Sequence, residues 1–471
     1  MAIDKQEIEK LKASLSPSSE VLTPDSEGYA ESIKRWSSAA EKTAGLVVLP
    51  STAEDVSKAV LFSQANKLEI AVVGGGHGTS GASSTDGGVS INLSKMRHVS
   101  VDPETRTITA EGGCLWADVD NAAEMHGLAA VGGTVNHTGI GGLTLGGGYG
   151  YLTPAHGMVV DNLLSVQFVL ADGRIVIASA TENPDLFWAS KGAGIGFGVA
   201  TKFVYQAHEQ KDPVWGGMLV FPKTQLHEVL AFGNQILTHT DGKVFMLAAF
   251  GSPPPALQPA VMTVVFYNGT EEEGRAYYEP ILKLGPLADM TTVVPFPKMN
   301  EMLNGPMFHG ARRTMKGSAF LGPLDTKFAE GIFGDYEAFV AQVPDAVMTV
   351  VAWEFMPYKK ILEVPQTATA FANRGAYGNL LFGPGWTDPK NDSACREWTR
   401  VMSKKARAEL EKAKARGTDA ETEQSVGEYG NYDSLGEGGE VVFGVNFPRL
   451  VELKKRYDPE NVFSKGPNLV A

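Results

Sequence analysis

Two glycine arrays constrain this chain more than any other feature of its 471 residues. The first, VVGGGHGTSG at 72–81, places five glycines in ten residues around a single histidine, His77. The second, GGTVNHTGIGGLTLGGGYG at 132–150, places nine glycines in nineteen. Without a Cβ, glycine reaches φ > 0 and leaves backbone N–H groups bare, which suits close approach to an anion. Either array alone reads as a structural turn. Two of them, with α+β chain between, read as two backbone walls around a large flat or phosphorylated ligand.

The better-known glycine motifs do not fit. GHGTSG at 76–81 has the letters of the dinucleotide fingerprint G-x-G-x-x-G and follows the strand-like EIAVV. That fingerprint needs a helix to begin inside the motif, whereas ASSTDGGVSINLS is turn-rich and then extended. No Gly-Lys-Ser/Thr follows, which excludes a Walker A loop. Zinc at His77 is disfavoured because no second His, Cys or carboxylate stands at ligand spacing nearby, and no metal is expected.

Composition narrows the class further. A formal net charge of −13 opposes binding to a phosphate backbone, so no nucleic-acid partner is expected. The densest basic run, 404–416, alternates with glutamates and reads as a solvated helix face. Cys114 and Cys395 offer no disulfide framework and suit a reducing compartment. The start, MAIDKQEIEKLKASL, is charged and helical in pattern with no apolar h-region. No uncharged apolar run is long enough to span a bilayer, so the expectation is a cytoplasmic protein with no membrane partner.

Along the chain, residues 45–205 alternate short β-type runs with helical windows. In TAEDVSKAVLFSQANKL, Thr52 reads as N-cap with Asp55 at N3. The Asp172-Gly173 pair in VLADGRIVIAS signals a hairpin. From Pro213 the texture changes to long apolar strand candidates such as VMTVVFYNG, VMTVVAWEFMP and YGNLLFGPGW. These read as an α+β domain around an antiparallel sheet with one open face. The expected division is 1–212, 213–420, and a segment 421–471 that returns to the first part.

With these motifs placed, the chain resembles the vanillyl alcohol oxidase and p-cresol methylhydroxylase flavoprotein superfamily, in its berberine-bridge-enzyme-like branch. The resemblance is carried by GGGHGTSG, by GGLTLGGGYGYLTPAHGMVVDNLLSVQFVLADG and by NPDLFWASKGAGIGFGVATKF. YGNY at 429–432 and FGVNFPRLVELKKRYDPENVF complete it. It implies an α+β fold in which FAD lies extended between two subdomains of an FAD-binding domain. A substrate domain, an antiparallel sheet covered by helices, closes over the ring. His77 matches the histidine that many relatives bond to the flavin 8α-methyl, so the resemblance implies covalent FAD. Relatives with two links carry a cysteine where this chain has Val135, which implies a single link, as in the 6-hydroxy-D-nicotine-oxidase-like members. The implied cofactor contacts are Val73, Gly74, Gly75, Gly76, Gly78, Thr79, Ser80 and Gly81 in the first array. In and after the second they are Gly133, Thr134, Thr138, Gly139, Gly142, Gly148, Tyr149, Gly150, Asp161, Asn162, Gly198, Val199 and Asn446. Thr138 occupies the position that lines the path of oxygen in relatives.

Flavin oxidation of a carbon needs a base for the departing O–H or N–H proton. In the resembling family the last tyrosine of Tyr-x-Asn-Tyr reaches that space, which makes Tyr432 the expected base, or else a ring that packs on the flavin. A phenol needs a nearby cation or hydrogen-bond donors to ionise easily. Glu354 is the one carboxylate on a strand near the ring, and the alternation of a half-exposed sheet favours an outward position for it. His137 and His156 read as supporting residues near the second array. The expected activity is oxidation of an alcohol or amine carbon in a small hydrophobic, aromatic or secondary-metabolite substrate, with O2 as reoxidant. A flavin-dependent dehydrogenase or oxidative cyclase is the alternative, and an FAD-binding protein without turnover a third reading.

Overall fold

The computed structural model describes residues 3–239, 241–418, 422, 428–432 and 438–470. The first layer is a four-stranded sheet in the order Glu20–Leu22, Leu46–Leu49, Val89–Asn92, Ile70–Val73, with the last three parallel. The helix Ala53–Ala65 makes the crossover, and the Thr52 hydroxyl accepts from Asp55 N at 3.2 Å. Strand Ile70–Val73 therefore delivers the first glycine array at the carboxyl edge of the parallel strands, where open α/β sheets present their binding crevice.

A second sheet runs Val99–Asp102, Thr107–Glu111, Val199–Gln206, Leu163–Val169, Ile175–Ser179, entirely antiparallel. Its last two strands form the hairpin signalled by Asp172-Gly173, with Gly173 at φ +80°. Part of the second glycine array is helical, over Ile140–Leu145. Thr144 and Tyr205 hydroxyls meet at 2.8 Å beneath it and fix it to the sheet.

The third sheet is antiparallel along Ala288–Asp289, Val214–Phe221, Ala260–Tyr267, Val244–Gly251, Val350–Phe355, Tyr377–Gly383 and Lys316–Leu321, with Thr292–Val294 beside the second of these. Period-two alternation sorts its faces. Trp353, Phe355, Leu380 and Phe382 bury themselves in the core under helices Leu226–Ile236, Thr326–Gln342 and Asp392–Ala415. Ala352, Glu354 and Leu381 point the other way, into the central cavity. The basic run 404–416 lies on the last of these helices, solvated on one side, with Ala406 and Leu410 buried on the other. Both cysteines are buried and unpaired, and among the described residues no helix is long and apolar enough to cross a membrane.

A clamp holds the third sheet against the first two. Arg374, fully buried, forks onto Asp161 at 2.6 and 2.8 Å, and Trp188 Nε1 donates to Thr367 O at 2.8 Å. Asn446 Nδ2 donates to Gln366 O and Thr369 O. A second tie joins Asp120 Oδ2 to Asn300 Nδ2 at 2.9 Å, while Asp120 Oδ1 is buried without a partner. Burial pushes the Asp120 carboxyl up to about 7. A raised carboxyl favours folding at acid pH, and that contribution is lost as pH rises through 7. Asp120→Asn is therefore expected to stabilise the protein at pH 8 by on the order of 2 kcal/mol more than at pH 4, because the contribution of the raised carboxyl is lost between its unfolded value of 3.8 and about 7. Urea midpoints at the two pH values check this, and equal shifts at both would refute it.

Candidate active site

The two arrays meet backbone to backbone. A Cβ on Gly75 would collide with Gly139 N, and one on Gly139 with Gly75 N, so neither position admits a side chain. The walls thus joined line one long cavity. Ile70, Phe463 and Lys465 stand among its lining residues on the side of the parallel sheet, and Leu247, Ala352, Glu354, Leu381 and Tyr432 on the side of the antiparallel sheet. Arg35, buried, shapes the first loop by donating from Nε and Nη2 to Ser83 O at 3.0 and 2.7 Å.

This cavity suits FAD. Its walls are glycine backbone of the kind that holds a diphosphate without net positive charge. Ser83, which lines it, has a buried hydroxyl with no protein partner. Of the residues named from sequence, the cavity is lined by Gly74, Gly75, Gly76, His77, Gly78, Thr79, Ser80, Gly133, Thr134, Thr138, Gly139, Gly142, Tyr149, Gly198 and Tyr432. Val73, Gly81, Gly148, Gly150 and Val199 lie outside that lining.

Asp161, Asn162 and Asn446 lie outside that lining too, with their side chains committed to protein partners. Asp161 is spent on Arg374 and on Met158 N. Asn162 donates to His156 O and Met158 O and pairs with His208 at 2.6 Å. Asn446 ties the clamp. A buried polar group needs its partners, and here the protein supplies them.

His77 stands at the cavity wall with its ring stacked on Trp36, centroids 4.8 Å apart and planes within 9°. Its Nε2 lies 2.6 Å from His137 Nδ1, and its Nδ1 lies 3.5 Å from Thr138 Oγ1. His309 completes a cluster in which the ligand atoms of all three imidazoles fall within 4.8 Å of one another. Sequence spacing gave His77 no such neighbours, because they come from 60 and 232 residues away. Burial, then the basic neighbours His137, His309 and Arg313, hold His77 neutral well below its ordinary range. His137 is lowered to about 4, by burial and then by His309.

On the opposite wall Glu354 is not outward-facing. It is 5% exposed, and its Oε1 accepts from the Tyr432 hydroxyl at 2.8 Å and its Oε2 from Asn379 Nδ2 at 2.7 Å. The sequence expectation failed because the face away from the helices is covered by the first two sheets rather than by water. Tyr432 closes a short 3-10 turn, Gly430–Tyr432, whose Asn431 donates to Leu143 O and to the Tyr429 hydroxyl. Gly317 lets it in, since a Cβ there would sit 2.8 Å from Tyr432 Cβ. Burial raises the Glu354 carboxyl, partly offset by its two hydrogen bonds. Burial, then the charge of Glu354, raises Tyr432 well above an ordinary phenol. Tyr432 therefore keeps its proton and donates it to Glu354 Oε1. Neither Trp36 nor His309 carried a sequence signal.

Comparison with known proteins agrees with this geometry. A family model described as FAD binding domain matches residues 44–179, and one described as berberine and berberine like matches 428–468. FAD-linked oxidoreductase pgmH of Aspergillus terreus is 35% identical over 479 residues, covering 98% of this chain and 96% of that one. The crystal structure of 6-hydroxy-D-nicotine oxidase from Arthrobacter nicotinovorans superposes with a TM-score of 0.79 at 26% identity, over 96% of this chain and 98% of that one. Physcomitrella patens BBE-like 1 shares the fold, with a TM-score of 0.83 at 19% identity over 97% of each chain. The chain belongs to the berberine-bridge-like FAD-linked oxidoreductases of the vanillyl alcohol oxidase superfamily, and it is an FAD-binding oxidoreductase.

Proposed function

We propose that this enzyme is an oxidase that holds FAD through one covalent bond from His77 and oxidises an alcohol or amine carbon of a small hydrophobic or aromatic substrate. The observation that supports it best is the Tyr432–Glu354 pair, 2.8 Å apart on the wall of the cavity that the glycine arrays line. FAD held between the two arrays would supply the two-electron acceptor for the substrate carbon, with dioxygen as the reoxidant.

The chain's own residues would handle the proton. Tyr432 is too weak an acid to wait as phenolate, so it takes the substrate's O–H or N–H proton only as its own moves to Glu354 Oε1. Asn379 holds the other carboxylate oxygen and so fixes which lone pair faces the phenol. Leu247, Ala352 and Leu381 on the same sheet face, with Leu303, Met307 and Met315, give the pocket an apolar lining that favours a hydrophobic substrate and excludes water. Thr138, beside His77, would stand where oxygen reaches the ring.

His77→Ala tests the attachment. After denaturation and removal of small molecules, the wild-type polypeptide is expected to stay yellow and to carry the added mass of FAD, and the variant to be colourless at the mass of the chain alone. A variant that keeps covalent flavin would refute the assignment. A wild type that releases all its flavin on unfolding would leave a dissociable-FAD oxidoreductase and remove the covalent bond. Dioxygen is tested separately, by hydrogen peroxide formed per substrate consumed under air. A ratio near zero with an artificial acceptor required would make the enzyme a dehydrogenase.

A further inference from the structure

We propose that Met307 and Met315 are a modification site for the hydrogen peroxide this enzyme makes, each thioether taking one oxygen atom to become the sulfoxide. The inference rests on the oxidase reading above and goes beyond it, by assigning two residues of the cavity wall as the first targets of the product.

Both side chains stand in the wall of the long cavity and are half-buried. Both are also pinned close to His77. Met307 O accepts from Trp36 Nε1 at 2.6 Å, and Gly310 N donates to Trp36 O at 3.1 Å. Two residues before Met315, Arg313 O accepts from Ser37 Oγ at 2.8 Å and Arg313 N donates to the same oxygen at 2.9 Å. The segment 307–315 therefore wraps around Trp36, whose ring stacks on His77. The turn before it is docked to the second glycine array, where Asn136 N donates to Asn300 O at 3.0 Å and Asn136 Oδ1 accepts from Asn304 Nδ2 at 2.7 Å. Thr138, the position from which dioxygen would reach the ring, follows two residues after Asn136. Peroxide formed there starts its way out along a wall that carries both thioethers.

Other methionines are placed differently. Met158, Met246, Met299 and Met356 are no more than 2% exposed and fill the core, where packing shields sulfur from an oxidant. Met125 and Met290, 82% and 51% exposed, face bulk solvent. Peroxide that comes from solution therefore reaches Met125 and Met290 first, and peroxide made in the cavity reaches Met307 and Met315 first.

The step balances without a further reactant. The O–O bond of the peroxide breaks, one oxygen joins sulfur, and the other leaves as water with both hydrogens. Sulfur is oxidised by two electrons and the peroxide reduced by two. An apolar, flexible side chain becomes a polar one, in a wall that Leu247, Leu303 and Leu381 otherwise keep apolar. A hydrophobic substrate is then held less well, so the enzyme slows with the turnovers it has made, and reduction of the sulfoxides restores it.

The FAD-loaded, full-length enzyme is reduced with dithionite in the absence of oxygen, freed of dithionite by anaerobic gel filtration, and returned to air with catalase in the surrounding solution, over repeated cycles. Peptide mass mapping reads the oxygen added at each methionine, and peroxide is assayed in a parallel sample without catalase. Met307 and Met315 are expected to gain oxygen at least about fivefold faster than Met125 and Met290. Peroxide added to the resting enzyme is expected to reverse that order. A Met307→Leu, Met315→Leu double variant is expected to keep its intact mass through cycles in which the wild type gains oxygen. If peroxide is made and Met125 is oxidised as fast as Met307 and Met315, or no methionine is oxidised, the modification site is overturned and the oxidase reading stands. Reduced enzyme that yields no peroxide in air would overturn the oxidase reading, and the proposal with it.

Discussion

Glu354→Gln is expected to slow substrate-driven flavin reduction about a hundredfold or more, while FAD remains bound and the protein folded. The amide preserves volume and can still face Tyr432 and Asn379, but it cannot take a proton. Because the buried carboxyl is raised above the ordinary carboxylate range, and because the reactive form is the carboxylate, the wild-type rate rises with pH through that titration and falls away below it. Glu354→Gln should lose this acid limb along with the rate. Tyr432→Phe should cost a similar factor, and the double variant little more than either single one, since the two groups act in series on one proton. Stopped-flow bleaching of the flavin across pH reads all three. A Glu354→Gln enzyme reduced at the wild-type rate at every pH would sink the pair.

Arg374→Met is expected to be the most destabilising single change, costing about 3–5 kcal/mol, because it strands Asp161 as a buried, unpaired charge. The side chains are 0% and 9% exposed, so solvent offers little compensation. The loss should also loosen the 366–374 clamp that holds the third sheet over the FAD-binding cavity, so FAD affinity should fall with stability. Adding Asp161→Asn to Arg374→Met should restore most of the loss, since the stranded charge rather than the missing contact dominates. Urea unfolding of the FAD-loaded single and double variants measures both. A single variant within about 1 kcal/mol of wild type would show that the pair does little for the fold.

What the sequence made legible followed local rules. Glycine arrays, the Thr52 cap, the Asp172-Gly173 turn and the apolar strands of the third sheet are each written in neighbouring residues, and all four stand in the structure. The open face expected of the third sheet is covered instead, and the place of Glu354 could not be read because alternation says only that it shares a face with Ala352. Whether that face meets water or another sheet depends on packing between segments distant in the chain. The same limit hid the histidine cluster, since His77, His137 and His309 come from three separate loops. For Asp161 and Asn162 the sequence was silent on their side-chain partners, since Arg374 and His208 are remote in the chain.

The position of Tyr432 also bears on how the enzyme is made. The glycine loops and His77 emerge from the ribosome early, but Tyr429, Tyr432, Phe463 and Lys465, which complete the cavity wall, come from the end of the chain. A nascent chain therefore carries both glycine loops long before the residues that complete the cavity wall are made. A ribosome stalled before residue 428 would hold one wall of the cavity without the other.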